Sequence, residues 1–283
     1  MITDIACPGV LQSLRAPLTY FAVVTLKSKS TQCIKRNVPE DKRTRTCYKH
    51  RLCDPAVLRA CQTVAIYGGS FDPPHVGHVT ITEFILREKL ADHVILLPAP
   101  VAPHKLHAPP VHPYHRLNML ALAFEDIAEA SIATYEIERP PPCYTIDSLN
   151  HFRNMMNCRT RFVMGMDSLR DLHLWYQARR LVETFDFIIY PRPGVAPPSF
   201  AELATHFGDE GAEKLTGAIL WDAPLVSASS SAIRNQIRQR PNFRPDLLSD
   251  AVWHYIRDNG IYSDAQPGNA PEKKETPKTH YGS

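Results

Sequence analysis

The chain has no run of about 18 apolar residues, so nothing in it reads as a membrane-spanning helix. It also lacks Gly-x-Gly-x-x-Gly at its first strand-to-turn junction, which disfavours a dinucleotide-dependent dehydrogenase. It has no Cys-x-x-Cys pair. Its seven cysteines (Cys7, Cys33, Cys47, Cys53, Cys61, Cys143 and Cys158) are odd in number and widely spaced, unlike a secreted disulfide framework. The spacing of Cys47, His50, Cys53 and Cys61 is too irregular for a zinc site. Reduced thiols in the cytoplasm are the expectation. No internal repeat is visible. The net charge of +3 over 283 residues is too small to argue for a nucleic-acid partner, and neither nucleic acid nor membrane is expected.

What is present is enough apolar residue, 44%, for a sizeable core. Its distribution divides the chain. Up to residue 61, eleven Lys or Arg stand against four acids, and Lys35–Arg51 shows no apolar period. Residues 1–61 therefore read as a basic, poorly ordered extension, either a presequence or an upstream addition without a role. After Tyr262 the chain is rich in Pro, Gly and charge, and 263–283 reads as a disordered tail. The domain expected between them is 62–262.

Within it, strand-like runs alternate with helical ones. Thr63–Tyr67, Val94–Leu97, Ile132–Ile137, Arg161–Met164, Phe187–Tyr190 and Ile219–Trp221 read as strands. Val76–Lys89, Tyr114–Phe124, Ile146–Met155, Ala232–Gln239 and Ser249–Asp258 read as helices. That alternation predicts an α/β fold with a doubly wound parallel sheet and a ligand beyond the carboxyl ends of the strands.

The first strand ends in Gly68-Gly69-Ser70-Phe71-Asp72-Pro73-Pro74-His75-Val76-Gly77-His78. The paired glycines permit a tight turn and close approach to a ligand. The prolines delay the helix until after them. His75 and His78 then face one way at the helix start, where free N–H groups and the helix dipole favour anions. A glycine turn with two surface histidines would explain part of this string. The whole string after a buried strand points to a phosphate cradle. A second candidate phosphate loop, Val226-Ser227-Ala228-Ser229-Ser230-Ser231-Ala232-Ile233-Arg234, opens a later helix. Its serines can cap the helix or meet phosphate, and Arg234 can pair with phosphate.

His75-Val76-Gly77-His78 resembles the HxGH signature of the nucleotidyltransferase superfamily, and Ser229–Arg234 resembles its ISSTxIR-type motif. Ala228 stands where that motif has Ile, and Ser231 where it has Thr, so the hydroxyl survives. Further segments, in order, resemble bacterial nicotinate-nucleotide adenylyltransferase: Pro100–Lys105, Arg116–Leu120, Tyr144–Leu149, Gly165–Leu169, the Trp175-Tyr176 pair, Pro191–Gly194 and the closing Ser249–Tyr262. Cys143 replaces a serine of the family pattern. Pantetheine-phosphate adenylyltransferase shares only the two phosphate loops, and no KMSKS-like loop of a class I tRNA synthetase is found. The fold implied is the Rossmann-like nucleotidyltransferase fold.

The resemblance implies transfer of AMP from ATP to nicotinate mononucleotide, with release of pyrophosphate. It implies an ATP site of Gly68, Gly69, Ser70, Phe71, His75, His78, Gly165, Asp167, Ser230, Ser231 and Arg234. It places the acceptor at His104, Lys105, Tyr144, Thr145 and Trp175, and catalysis on His75, His78, Lys105 and Arg234. Trp175 suits stacking on a pyridine ring, although its residue type fits a core position equally. Mg²⁺ is expected on the ATP phosphates, with no protein residue named for it. Three alternatives stay open: another acceptor (nicotinamide mononucleotide or phosphopantetheine), an ATP-binding module without turnover, and nucleic-acid binding through the basic extension. A monomer and a homo-oligomer are both open.

Overall fold

A computed structural model describes residues 47–100, 110–156 and 158–263. The expected tail, most of the basic extension, and His104 and Lys105 lie outside these residues. The described chain begins with a 3-10 turn, Cys47–Arg51, and the short helix α1, Pro55–Arg59. Then come β1 (Thr63–Gly69), α2 (Val76–Arg87), β2 (His93–Pro98), α3 (Pro113–Ala123) and β3 (Ala130–Ile132). The second half holds α4 (Thr145–Met155), β4 (Arg159–Gly165), α5 (Met166–Arg170), α6 (Ala178–Thr184) and β5 (Asp186–Tyr190). It closes with α7 (Phe200–Gly217), α8 (Ser230–Gln239) and α9 (Asp250–Asp258).

All strand pairs are parallel, in the order β3-β2-β1-β4-β5. The strand order reverses direction at β1, so the crevice for a ligand lies beyond the carboxyl ends of β1 and β4. Alternation along the strands builds two cores. Val64 and Ile66 of β1 join Ile95, Leu97, Phe162, Met164, Phe187 and Ile189 on one face, under α4, α6 and α7. Ala65 and Tyr67 join Val94, Leu96, Val163 and Ile188 on the other, under α2 and α3. A third cluster packs α8 and α9 on Met119 of α3 through Ile233, Ile237, Val252, Trp253 and Ile256.

The structure departs from the expected elements at several points. Residues 47–61 are built into the body: Leu58 is fully buried, the Cys53 N–H donates to Ile132 O at 3.0 Å, and Arg51 donates to Ile127 O at 2.8 Å. The strand expected at Ile132–Ile137 ends at Ile132. The chain turns there because Glu136 is drawn inward, where its carboxylate accepts a 2.7 Å bond from Ser148 Oγ on α4. Ile219–Trp221 supplies a single bridge, Ile189 to Ile219, and Trp221 is solvent-exposed. Helix α7 had no clear signature. It opens on a reciprocal cap, Ser199 with Glu202, and breaks at Gly208, whose φ of 75° interrupts its period.

Candidate active site

The carboxyl end of β1 is shaped by contacts that leave little room for larger residues. A Cβ on Gly68 would lie 3.2 Å from the Phe162 ring, and one on Gly69 would lie 3.2 Å from the Phe71 ring. Phe71 itself holds a φ of 46°, rare for a residue with a Cβ. Its side chain is buried against Tyr67 and His78, with centroids at 5.6 and 4.9 Å. Phe71 thus faces the site with its backbone, and its ring backs His78.

His75 is the N-cap of α2, and its ring stacks on that of His78 at 3.8 Å. The His75 N–H donates to His78 Nδ1 at 3.1 Å. Burial pushes the His78 pKa well down, with help from His75 and Arg192. Burial, then the Arg192 charge, lower His75 to about 4. Both rings are therefore neutral near pH 7. Because His78 Nδ1 accepts, its proton sits on Nε2, which is left as a donor. His75 Nδ1 is buried and has no partner among the described residues. The His75 side chain faces the first turn of α2, in a capping box with His78. Gly77 lets the second loop close on the helix start, since a Cβ there would meet Ala228 Cβ and His75 Nδ1 at 3.2 Å each.

The second loop is tied to the first. Ser229 caps α8 through Ala232 N–H. Ser230 Oγ donates to Pro73 O at 2.9 Å, and Ser231 Oγ accepts from Arg234 Nη2 at 3.2 Å. Arg234 Nη1 donates to Asp72 O at 2.6 Å and lies 3.6 Å from Asp72 Oδ2. The buried Asp72 also accepts from Tyr262 Oη at 2.6 Å and from Val111 N–H at 3.3 Å. The structure thus brings His75, His78, Ser230, Ser231 and Arg234 around one turn.

At the carboxyl end of β4, Gly165 is enclosed. A Cβ there would fall 2.5 Å from Asp167 Oδ1 and 3.2 Å from Arg192 Nε. Asp167 pairs with Arg192 at 3.4 Å, and Arg192 reaches Tyr190 Oη at 3.4 Å. Tyr67, His75, His78, Tyr190, Arg192 and Ala228 line a common cleft, which joins the histidines to the Arg192 side of the sheet.

Tyr144, Thr145 and Trp175 are not among the residues that line this cleft. Tyr144 is the N-cap of α4 without a side-chain cap bond, and its ring stacks on Tyr176 at 4.1 Å. Trp175 is half-buried, with its ring edge-on to Phe162 at 6.0 Å.

Residues that received no role from the sequence prove to be organisers here. Arg116 is wholly buried and donates to Val111 O, Ser70 O, Ala99 O and Pro100 O at 3.1, 2.8, 2.7 and 3.2 Å. Burial pulls its pKa down, while Asp72 and Tyr262 act to raise it. Asp72, Arg192 and Tyr262 all lie in segments singled out by sequence. Their bonds cross 39 to 190 residues or depend on the sheet, so no local signal exposes them.

Comparison with known proteins places this geometry. A cytidylyltransferase-like family model matches residues 66–236. The probable nicotinate-nucleotide adenylyltransferase of Thermomicrobium roseum is 34% identical over 200 residues, covering 70% of this chain and 91% of its own. That of Caldicellulosiruptor saccharolyticus is 30% identical over 201 residues, covering 71% and 99%. Among solved structures, the Plasmodium falciparum nicotinic acid mononucleotide adenylyltransferase complexed with NaAD shares the fold. Its TM-score is 0.56 at 19% identity, over 71% of this chain and 97% of that one.

Proposed function

Because the chain belongs to the nicotinate-nucleotide adenylyltransferase family, we infer that it transfers AMP from ATP to nicotinate mononucleotide, forming nicotinate adenine dinucleotide and pyrophosphate. The observation that carries the reading is the stacked His75–His78 pair on the helix start, with Arg234 bonded to Asp72 of the same loop. A phosphate monoester is already a nucleophile. What the protein must supply is alignment and stabilisation of charge on the α-phosphate. His78 Nε2–H is the donor assigned to that charge, and His75 contacts the neighbouring phosphates. Ser231 and Arg234 hold the β- and γ-phosphates that leave. Ser230 supports them by fixing α8 to Pro73, and Gly68, Gly69, Ser70 and the Phe71 backbone form the wall of the cradle. Asp167 receives the ribose, with Gly165 giving it room. His104 and Lys105 are assigned to closure over the phosphates and acceptor.

The acceptor side rests on Tyr144, Thr145 and Trp175. Since Tyr144 places no side-chain cap on α4, first-turn N–H groups are left for the nicotinate carboxylate. A neutral amide lacks the charge those donors meet. The indole of Trp175 supplies a face for the pyridine ring.

Among the described residues no three His, Cys, Asp or Glu side chains gather as metal ligands. The cleft donors are imidazole, guanidinium and hydroxyl groups, which suit a polyphosphate that brings its own Mg²⁺. Magnesium so carried neutralises phosphate charge. No helix among the described residues is long and apolar enough to cross a membrane. The cytoplasm, where nucleotide pools and reduced thiols coexist, is the compartment this reading favours.

The deciding experiment offers the purified chain MgATP with nicotinate or nicotinamide mononucleotide and measures pyrophosphate. Turnover should favour the acid, and His78→Ala should lower kcat at least about a hundredfold. No release with either acceptor rejects the reaction, and preference for the amide rejects the acceptor.

A further inference from the structure

Helix α9 ends in a left-handed turn. Gly260 takes φ 61°, its N–H bonds Arg257 O, and the Ile261 N–H bonds Ile256 O at 2.9 Å. The turn sends the chain back into the third core cluster, where Ile261 and Tyr262 are both buried. Tyr262 then adopts φ 67°, a conformation that a residue with a Cβ rarely holds. A buried tyrosine in that state is held by its surroundings. Packing alone does not account for it, since its hydroxyl is delivered to Asp72 Oδ1 at 2.6 Å, 190 residues away in sequence.

Asp72 faces two ways. One carboxylate oxygen takes the Tyr262 and Val111 donors, and the other lies 3.6 Å from Arg234. The Asp72 carbonyl takes a 2.6 Å bond from the same guanidinium. Arg234 therefore meets Asp72 twice, through backbone and side chain. The angle at which its remaining N–H groups leave the protein depends on how the carboxylate is turned. Among the described residues, Tyr262 and Val111 are the hydrogen-bond donors to Asp72 Oδ1. Burial and the nearby carboxylate push the Tyr262 hydroxyl well above its ordinary pKa, so it remains a donor across the working range.

We propose that Tyr262 is a positioning residue for adenylyl transfer, acting through Asp72 to set the orientation in which Arg234 receives the leaving phosphates of ATP. The proposal rests on the function inferred above. It concerns the nucleotide half of the reaction, because the Tyr262 hydroxyl bonds Asp72 of the first phosphate loop. The Phe variant removes one oxygen and keeps the ring in its cluster.

The test is a kinetic cycle on the full chain: wild type, Tyr262→Phe, Arg234→Ala and the double variant, each with KM for ATP, KM for nicotinate mononucleotide, kcat and thermal midpoint. Tyr262→Phe should raise KM for ATP about five- to tenfold, the scale of one hydrogen bond to a charged group felt at second hand. KM for the mononucleotide should stay within about twofold, and in the Arg234→Ala background the Phe change should add less than about twofold. Equal losses in both backgrounds, equal shifts in both KM values, or no shift at all would overturn the proposal. If Tyr262→Phe does not fold, Tyr262→Met, which also lacks the hydroxyl, goes through the same cycle and the same outcomes decide. A wild-type chain without turnover rejects the inferred reaction. A wild-type chain that turns over beside an uncoupled Tyr262 rejects only the positioning role.

Discussion

Lowering the pH from 7 to 5 should destabilise this protein, and His75 supplies a definable part of the loss. In the folded chain burial, seconded by the Arg192 charge, brings its pKa from the ordinary 6.5 to about 4. Between those values the unfolded chain binds a proton that the folded chain refuses. Stability is therefore complete above about pH 6.5 and falls as pH drops through the window toward 4. For pKa values of 6.5 and 4, linkage gives a loss of about 2 kcal/mol between pH 7 and 5. His78, His93 and His115 are shifted in the same direction by burial and steepen the wild-type slope. The quantity to measure is thus the difference between wild type and His75→Gln in urea denaturation at the two pH values. The wild type should lose about 2 kcal/mol more than the variant on acidification. Parallel losses would show that His75 is not a suppressed proton acceptor, and the neutral-donor account of the cradle would go with it.

Two further substitutions probe the scaffold. Arg116→Met should destabilise the chain by about 3 kcal/mol or more in denaturant titration, because four carbonyls lose a charged donor in a buried place. A loss under about 1 kcal/mol would mean that those carbonyls find other partners. Gly165→Ala should raise KM for ATP several-fold with little change in thermal midpoint. The new Cβ, 2.5 Å from Asp167 Oδ1, must turn that half-exposed side chain off Arg192. An unaltered KM would remove Asp167 from the nucleotide site.

The parts of this molecule visible in sequence were those written in short range. Thr63–Gly69 is a run of buried strand residues closed by two glycines, and both facts are local. Strand β5 and helices α2, α3, α8 and α9 fell close to their expected bounds for the same reason. What stayed hidden depended on distance in the chain. Ser230 and Arg234 looked like residues free for phosphate, whereas both also bind the backbone of the first loop, at Pro73 and Asp72. Arg116 was legible as part of a motif but not as the donor to four carbonyls. Helix α7 escaped because Gly208 breaks its period midway. Residues 47–61 were hidden by composition: their basic character masked the few apolar anchors, above all Leu58.

The attachment of that segment at the rim of the sheet has a consequence for association between molecules. Strand β3 is short and lies at the sheet's margin, where unpaired peptide groups invite a strand from another copy. Leu52 pairs in parallel with Ile132, and the Cys53 N–H takes the Ile132 carbonyl. The residues before β1 thus act as a selvedge, finishing a border along which the sheet could otherwise be extended by a neighbour. A chain trimmed to start at β1 would keep the residues that line the histidine cleft and lose that finish, together with the buried Leu58, exchanging a closed margin for one prone to self-adhesion.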